Sequence, residues 1–122
     1  MPKSDRIKIT DLHLRAIIGI NPDERKNLQD VLINILLYVD SRPAAKSDDI
    51  SDSANYRSIT KEIIKLVESS RFYLIEKLAS EIATICLKSQ QVETVSVNVQ
   101  KPTALRFAKS VGITIERSKT QS

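Results

Sequence analysis

The chain has 122 residues, with 19 Lys and Arg against 15 Asp and Glu, a net charge of +4, one His and one Cys. That length fits a single domain with one core; the lone Cys86 excludes an intramolecular disulfide, and His13 with Cys86 is too small a set for a standard zinc site or a Cys–His dyad. The positive charge suits an anionic ligand, but three Tyr, two Phe and no Trp offer little surface for base stacking, and Gly19 and Gly112 alone cannot make a glycine-rich phosphate loop.

The N-terminal stretch "MPKSDRIKIT" is polar, and no apolar run approaches the roughly 20 residues of a membrane span, so a soluble, cytoplasmic protein with no membrane partner is expected. Ile7 and Ile9 alternate, then Leu12, Leu14, Ala16 and Ile18 alternate in the opposite phase; this predicts one long strand reaching Gly19 with a bulge near Thr10 and Asp11. "INPDERKNLQ" turns the chain, and Val31, Ile33, Ile35, Leu37 and Val39 mark one face of a second strand that closes a hairpin. Residues 41–56 carry Pro, Ala, Ser and several Asp with no period, which reads as a long loop, and Asn55 is placed to cap a helix starting at its end.

From Arg57 the period becomes helical through Ile59, Ile63, Leu66 and Val67, and "ESSR" interrupts it. A second helix carries Leu74, Ile75, Leu78, Ala79, Ile82, Ala83 and Cys86 on one stripe, which makes Cys86 a core residue rather than a nucleophile. Val95, Val97 and Val99 then alternate up to Lys101–Pro102, and Val111, Ile113 and Ile115 alternate before the basic tail "ERSKTQS". The order is ββααββ. An antiparallel four-stranded sheet with two helices on one face, an α+β domain spanning 1–122 with its core at about 6–117, buries both apolar sets most simply.

Four stretches, "GINPDER" (19–25), "NYRSITKEI" (55–63), "RFYLIEKLASEIA" (71–83) and "VQKPTALRFAKSVGITIER" (99–117), resemble the bacterial dihydroneopterin aldolases and the related dihydroneopterin triphosphate 2'-epimerases over nearly the whole chain. "NYR", the spacing of "VESSRFYLIEKL" and "ALRFAKSV" look more like the epimerases. The Lys101–Pro102 pair is common among aldolases, whereas Thr103 stands where many of them have Gly. The resemblance implies the tunnelling fold (T-fold), closed by oligomerisation into a barrel as a tetramer ring or a stacked octamer. It also implies a cofactor-free, metal-free enzyme acting on a small-molecule pterin, with sites between subunits.

Carried over position by position, the resemblance gives Glu76 the grip on the pterin's 2-amino group and ring N3–H, two adjacent donors that match two carboxylate oxygens. Taken alone, Glu76 reads as a first-turn glutamate favoured by the helix dipole. Lys101, otherwise a solvated lysine at a strand end, becomes the acid/base acting on the trihydroxypropyl side chain through a bound water. Tyr56 delivers or withdraws a proton, and Glu24 reaches into the site, usually from a neighbouring subunit. Backbone groups near Ala54, Asn55 and Ile75 complete recognition of the ring, and Arg106 with Arg57 and Lys109 could meet a triphosphate. The charge and basic tail alone also fit a small nucleic-acid-binding domain or a silent assembly protein, although Lys and Arg are scattered rather than striped.

Overall fold

All four strands anticipated from apolar alternation form. The computed structural model describes residues 5–102 and 104–119. Thr103, which bears on the choice between epimerase and aldolase, and residues 120–122 of the tail lie outside them. In chain order the elements are β1 (Asp5–Ala16), β2 (Gln29–Val39), α1 (Arg42–Ser47), a 3-10 turn (Ile50–Asp52), α2 (Tyr56–Ser69), α3 (Ile75–Leu87), β3 (Thr94–Pro102) and β4 (Ser110–Ser118). The sheet is antiparallel throughout in the order β1-β2-β3-β4, so β1 and β4 are its two edges.

The bulge in β1 is present: pairing passes from Ile9 opposite Ile35 to Leu12 opposite Ile33. Asp11 takes up the extra residue with a φ of 53°, and its N–H donates to Asn34 Oδ1 at 2.7 Å. The insertion changes the side-chain phase, so Ile7 and Ile9 before it and Leu12, Leu14 and Ala16 after it all reach the same core. Across that face β2 buries Val31, Ile33, Ile35, Leu37 and Val39, and β3 buries Val95, Val97 and Val99. Ile59, Ile63 and Val67 of α2 and Leu78, Ala79, Ile82, Ala83 and Cys86 of α3 complete it. Each buried large aliphatic side chain contributes about 1.5–3 kcal/mol, far more than intrinsic propensity gives a helix of this length, so the shared core holds α2 and α3 in place.

Asn55 caps α2 by accepting from Ser58 N–H at 3.1 Å, and Ser70 ends it, its hydroxyl donating to Val67 O at 2.8 Å. Three expectations need correction. β1 ends at Ala16 rather than Gly19, because the chain then turns off the sheet and Gly19 N–H pairs with Phe72 O at 3.3 Å. The stretch 41–56 is not a plain loop: α1 begins with Pro43 in its first turn, but it buries no residue, so it leaves no apolar period to read. Leu74 is the N-cap of α3 and half exposed instead of lying on the buried stripe. No helix among the described residues is long and apolar enough to cross a membrane.

Candidate active site

Lys101 sits at the end of β3, next to the β2 end of the sheet from which the 19–28 turn springs. Pro102 after it keeps the strand extended. Its Nζ donates to Glu24 Oε2 at 2.6 Å, with the two side chains only 12% and 20% exposed. Glu24 also accepts from Asn21 N–H at 3.2 Å and from Gln29 Nε2 at 3.1 Å. The Lys101 hydrogen bond, outweighing the desolvation that opposes it and helped by Asn21 and Gln29, brings the Glu24 pKa from an ordinary 4.5 down to about 2. Glu24 is therefore a carboxylate, an acceptor only, throughout the neutral range.

The turn is built to let that carboxylate fold inward. Gly19 has a φ of +130°, and a Cβ there would overlap the Glu24 carboxyl group. Arg25 pins the turn from the other side: its Nη1 donates to Gly19 O at 3.0 Å and Phe72 O at 3.1 Å, and its Nη2 donates to Arg71 O at 2.6 Å.

Glu76 stands in the first turn of α3, exposed, and lines one cavity of about 490 Å³ with Glu24 and Lys101. Ile20, Tyr73, Leu74, Ile75, Leu105, Val111 and Ile113 supply most of its apolar wall. A concave, largely apolar space of this size with a few convergent polar groups suits a small molecule. One carboxylate at the mouth can grip paired N–H donors, while deeper in Lys101 can give up a proton and take one back beside a Glu24 carboxylate that stays ionised. Among the described residues no group of His, Cys, Asp and Glu is arranged to hold a metal ion. Cys86 is remote from this chemistry, buried in the core with its thiol pKa pushed up to about 12 by desolvation.

Glu24, Glu76, Ile75 and Lys101 thus meet within one chain. Glu24 reaches Lys101 of its own chain, where the resemblance led to the expectation of a neighbouring subunit's glutamate. Ala54, Asn55 and Tyr56 do not join them. Ala54 is buried beside Asp5, Val39 and Asp40, at the far end of β2 from the cavity, roughly 26 Å away at about 3.3 Å per residue. Tyr56 at the head of α2 is 52% exposed. Arg106 and Lys109 lie exposed in the β3–β4 connection whose Ala104 and Leu105 line the cavity, but Arg57 belongs to the Tyr56 end. The sequence reading missed Arg25, Gln29 and Tyr73. Arg25 was in sight inside "GINPDER", yet no spacing rule says that a guanidinium will turn back onto three carbonyls.

The dihydroneopterin aldolase family model (FolB) matches residues 7–116. The chain belongs to the dihydroneopterin aldolase family. It is 45% identical to the dihydroneopterin triphosphate 2'-epimerase of Pseudomonas aeruginosa, over 93% of each chain. It is 40% identical to the dihydroneopterin aldolase of Streptomyces coelicolor, over 82% of this chain and 84% of that one. Among solved structures, Escherichia coli dihydroneopterin aldolase in complex with neopterin superposes with a TM-score of 0.89 at 34% identity, covering 93% of this chain and 99% of the other. Members of the dihydroneopterin aldolase family that resemble this chain therefore carry both names, epimerase and aldolase.

Proposed function

We propose that this chain is a cytoplasmic, cofactor-free dihydroneopterin triphosphate 2'-epimerase. The observation that carries the proposal is the convergence of Glu76 with the Glu24–Lys101 pair in one cavity. Glu76 takes the 2-amino group and N3–H of the pterin in a charge-assisted bidentate contact, and the side chain of the substrate then runs toward Lys101 and Glu24. The pterin supplies the electron sink. In a 7,8-dihydroneopterin C1' is attached to C6 of the C6=N5 imine, so removal of the 2'-hydroxyl proton breaks C1'–C2', releases an aldehyde at C2', passes the bond's electrons into the imine and leaves a C1'=C6 enamine protonated at N5. Lys101, acting through a bound water, gives its proton toward N5 and its amine takes the 2'-hydroxyl proton, so it ends the cleavage protonated as it began, and the Glu24 carboxylate holds the lysine and water in line. If the aldehyde turns over and re-adds to C1', the 2' centre is inverted; if it departs and C1' is protonated, the products are 6-hydroxymethyl-7,8-dihydropterin and glycolaldehyde or its phosphorylated counterpart.

The inverting outcome is favoured by the epimerase relative at 45% identity and by Arg106, which stands next to the cavity-lining Leu105 where a triphosphate would need cations. The aldolase reading is supported by the Lys101–Pro102 pair and the family's name. In this account Ala54, Asn55 and Tyr56 act in a neighbouring subunit's site, which fits their distance from their own chain's cavity and the two unpaired sheet edges. Pairing β1 of one copy with β4 of the next closes a ring into a barrel, a tetramer or a stacked octamer. Chromatographic analysis of products from dihydroneopterin triphosphate and from dihydroneopterin tests the reading. The 2'-epimer from the triphosphate is the expected main product; efficient 6-hydroxymethyl-dihydropterin release from the unphosphorylated compound, with little epimer from the triphosphate, would move the chain to the aldolase reaction.

A further inference from the structure

Glu24 has a difficulty that Glu76 and Lys101 do not share. Glu76 rides on α3 and Lys101 on β3, both anchored by the core, whereas Glu24 projects from the 19–28 turn, whose backbone bonds to itself only through contacts such as Arg25 N–H to Asn21 O at 3.1 Å and Lys26 N–H to Asp23 O at 3.2 Å. Something outside the turn has to fix its height over the cavity.

Arg25 meets that need. Its guanidinium spans the Gly19 carbonyl on the turn and the Phe72 and Arg71 carbonyls just before α3, at 3.0, 3.1 and 2.6 Å. Its carbon lies 4.0 Å from the centroid of the Tyr73 ring, close enough for a cation–π contact that holds the plane of the fork. Arg71 returns the contact, Nη2 donating to Arg25 O at 2.9 Å. The turn and the α2–α3 junction are thus laced together at the residue adjoining Glu24.

We infer that Arg25 is a positioning residue: by clamping the turn to the junction ahead of α3 it holds the Glu24 carboxylate against Lys101. It touches no reacting atom and does not line the cavity. The inference rests on the functional reading above for what Glu24 and Lys101 do, but not for the clamp itself. Only a planar fork reaches three carbonyls at once; a lysine keeps the charge and a ring contact but presents a single nitrogen.

The test is a double-mutant cycle on kcat, joined to a readout that needs no turnover, the rate at which acetic anhydride modifies Lys101, followed by mass spectrometry. Arg25→Ala is expected to lower kcat about 10- to 100-fold, the scale of a small misplacement of a catalytic group, and Arg25→Lys about tenfold. Lys101 should be acetylated several-fold faster in both as its carboxylate partner moves away. In a Glu24→Gln background, Arg25→Ala should lower kcat by less than about twofold, because the step through which it acts is already gone. An undiminished loss in that background overturns the inference, as does unchanged Lys101 acetylation in Arg25→Lys, the variant that decides the matter if Arg25→Ala does not fold. A wild-type chain without pterin turnover would overturn the functional reading alone, and the acetylation arm would still decide the clamp.

Discussion

Lys101 and Glu24, separated by 77 positions in the sequence, meet in a 2.6 Å hydrogen bond between two largely buried side chains. The pair joins the end of a core strand to a surface turn. It is both a structural link and, in the proposed reaction, the group that moves protons.

The first consequence is a pH dependence of stability. Glu24 is held at about 2 from an ordinary 4.5, chiefly by the Lys101 hydrogen bond. A carboxyl group whose pKa is depressed on folding contributes stability that is fully present above the unfolded value and is lost as pH falls through the folded one. The window is therefore pH 4.5 down to 2, and the contribution is on the order of 1–2 kcal/mol after discounting for the solvent that still reaches the pair. Thermal melts of wild type and Glu24→Gln across that window should differ most above pH 4.5 and converge toward pH 2. A gap that stays constant with pH would remove the pair from the stability account.

Gly19 should be irreplaceable for activity. Its φ of +130° and the overlap between an added Cβ and the Glu24 carboxyl group mean that Gly19→Ala must strain the turn and push Glu24 away from Lys101. A loss of about 1–3 kcal/mol in stability and of at least about tenfold in kcat is expected. Denaturant titration and steady-state kinetics on the same preparation check both, and wild-type kinetics in the variant would count against the inward pose of Glu24.

Assembly should be needed for turnover. Glu24, Glu76 and Lys101 line one cavity, whereas Ala54 lies at the other end of the chain with Asn55 and Tyr56 following it, so in the proposed reading these three reach a site only in a second copy. Light scattering at micromolar concentration should return a tetramer or octamer. A monomer with full activity would show that the Tyr56 end is dispensable.

Much of this architecture is legible in the sequence, and the parts that are not share a physical cause. Alternation in Val31–Val39 and Val95–Val99 specifies the strands because each has one buried face, and the phase change between Ile9 and Leu12 specifies the bulge because Asp11 carries the extra residue. α1 is invisible because it buries nothing. Glu76 is ambiguous from its residues alone, since a first-turn glutamate looks the same whether it serves a helix dipole or a ligand, and only the family resemblance singles it out. The contacts of Arg25 with Gly19, Arg71 and Phe72 and of Lys101 with Glu24 are tertiary, set by where the 19–28 turn lands, and no local pattern encodes them.

Arg106 is expected to separate the two substrates of the proposed reactions. It is exposed in the connection that borders the cavity, where a triphosphate could accept its hydrogen bonds and an unphosphorylated side chain could not. Arg106→Ala should raise KM for dihydroneopterin triphosphate about tenfold, the scale of one charge-assisted contact, and leave KM for dihydroneopterin within about twofold. The wild-type preference for the triphosphate should also weaken with added salt. Equal effects on both substrates would make Arg106 an ordinary surface cation.

The most direct test of the division of labour in the cavity is a binding titration of neopterin with Glu76→Ala and Lys101→Ala side by side, with turnover measured on the same samples. Removing the Glu76 carboxylate takes away a bidentate charged contact, so Glu76→Ala should bind at least about 30-fold more weakly. Lys101→Ala should keep affinity within about fivefold while kcat falls by roughly two orders of magnitude or more, the scale of lost acid–base catalysis. Equal loss of binding in both variants, with no separate loss of kcat in Lys101→Ala, would contradict the account.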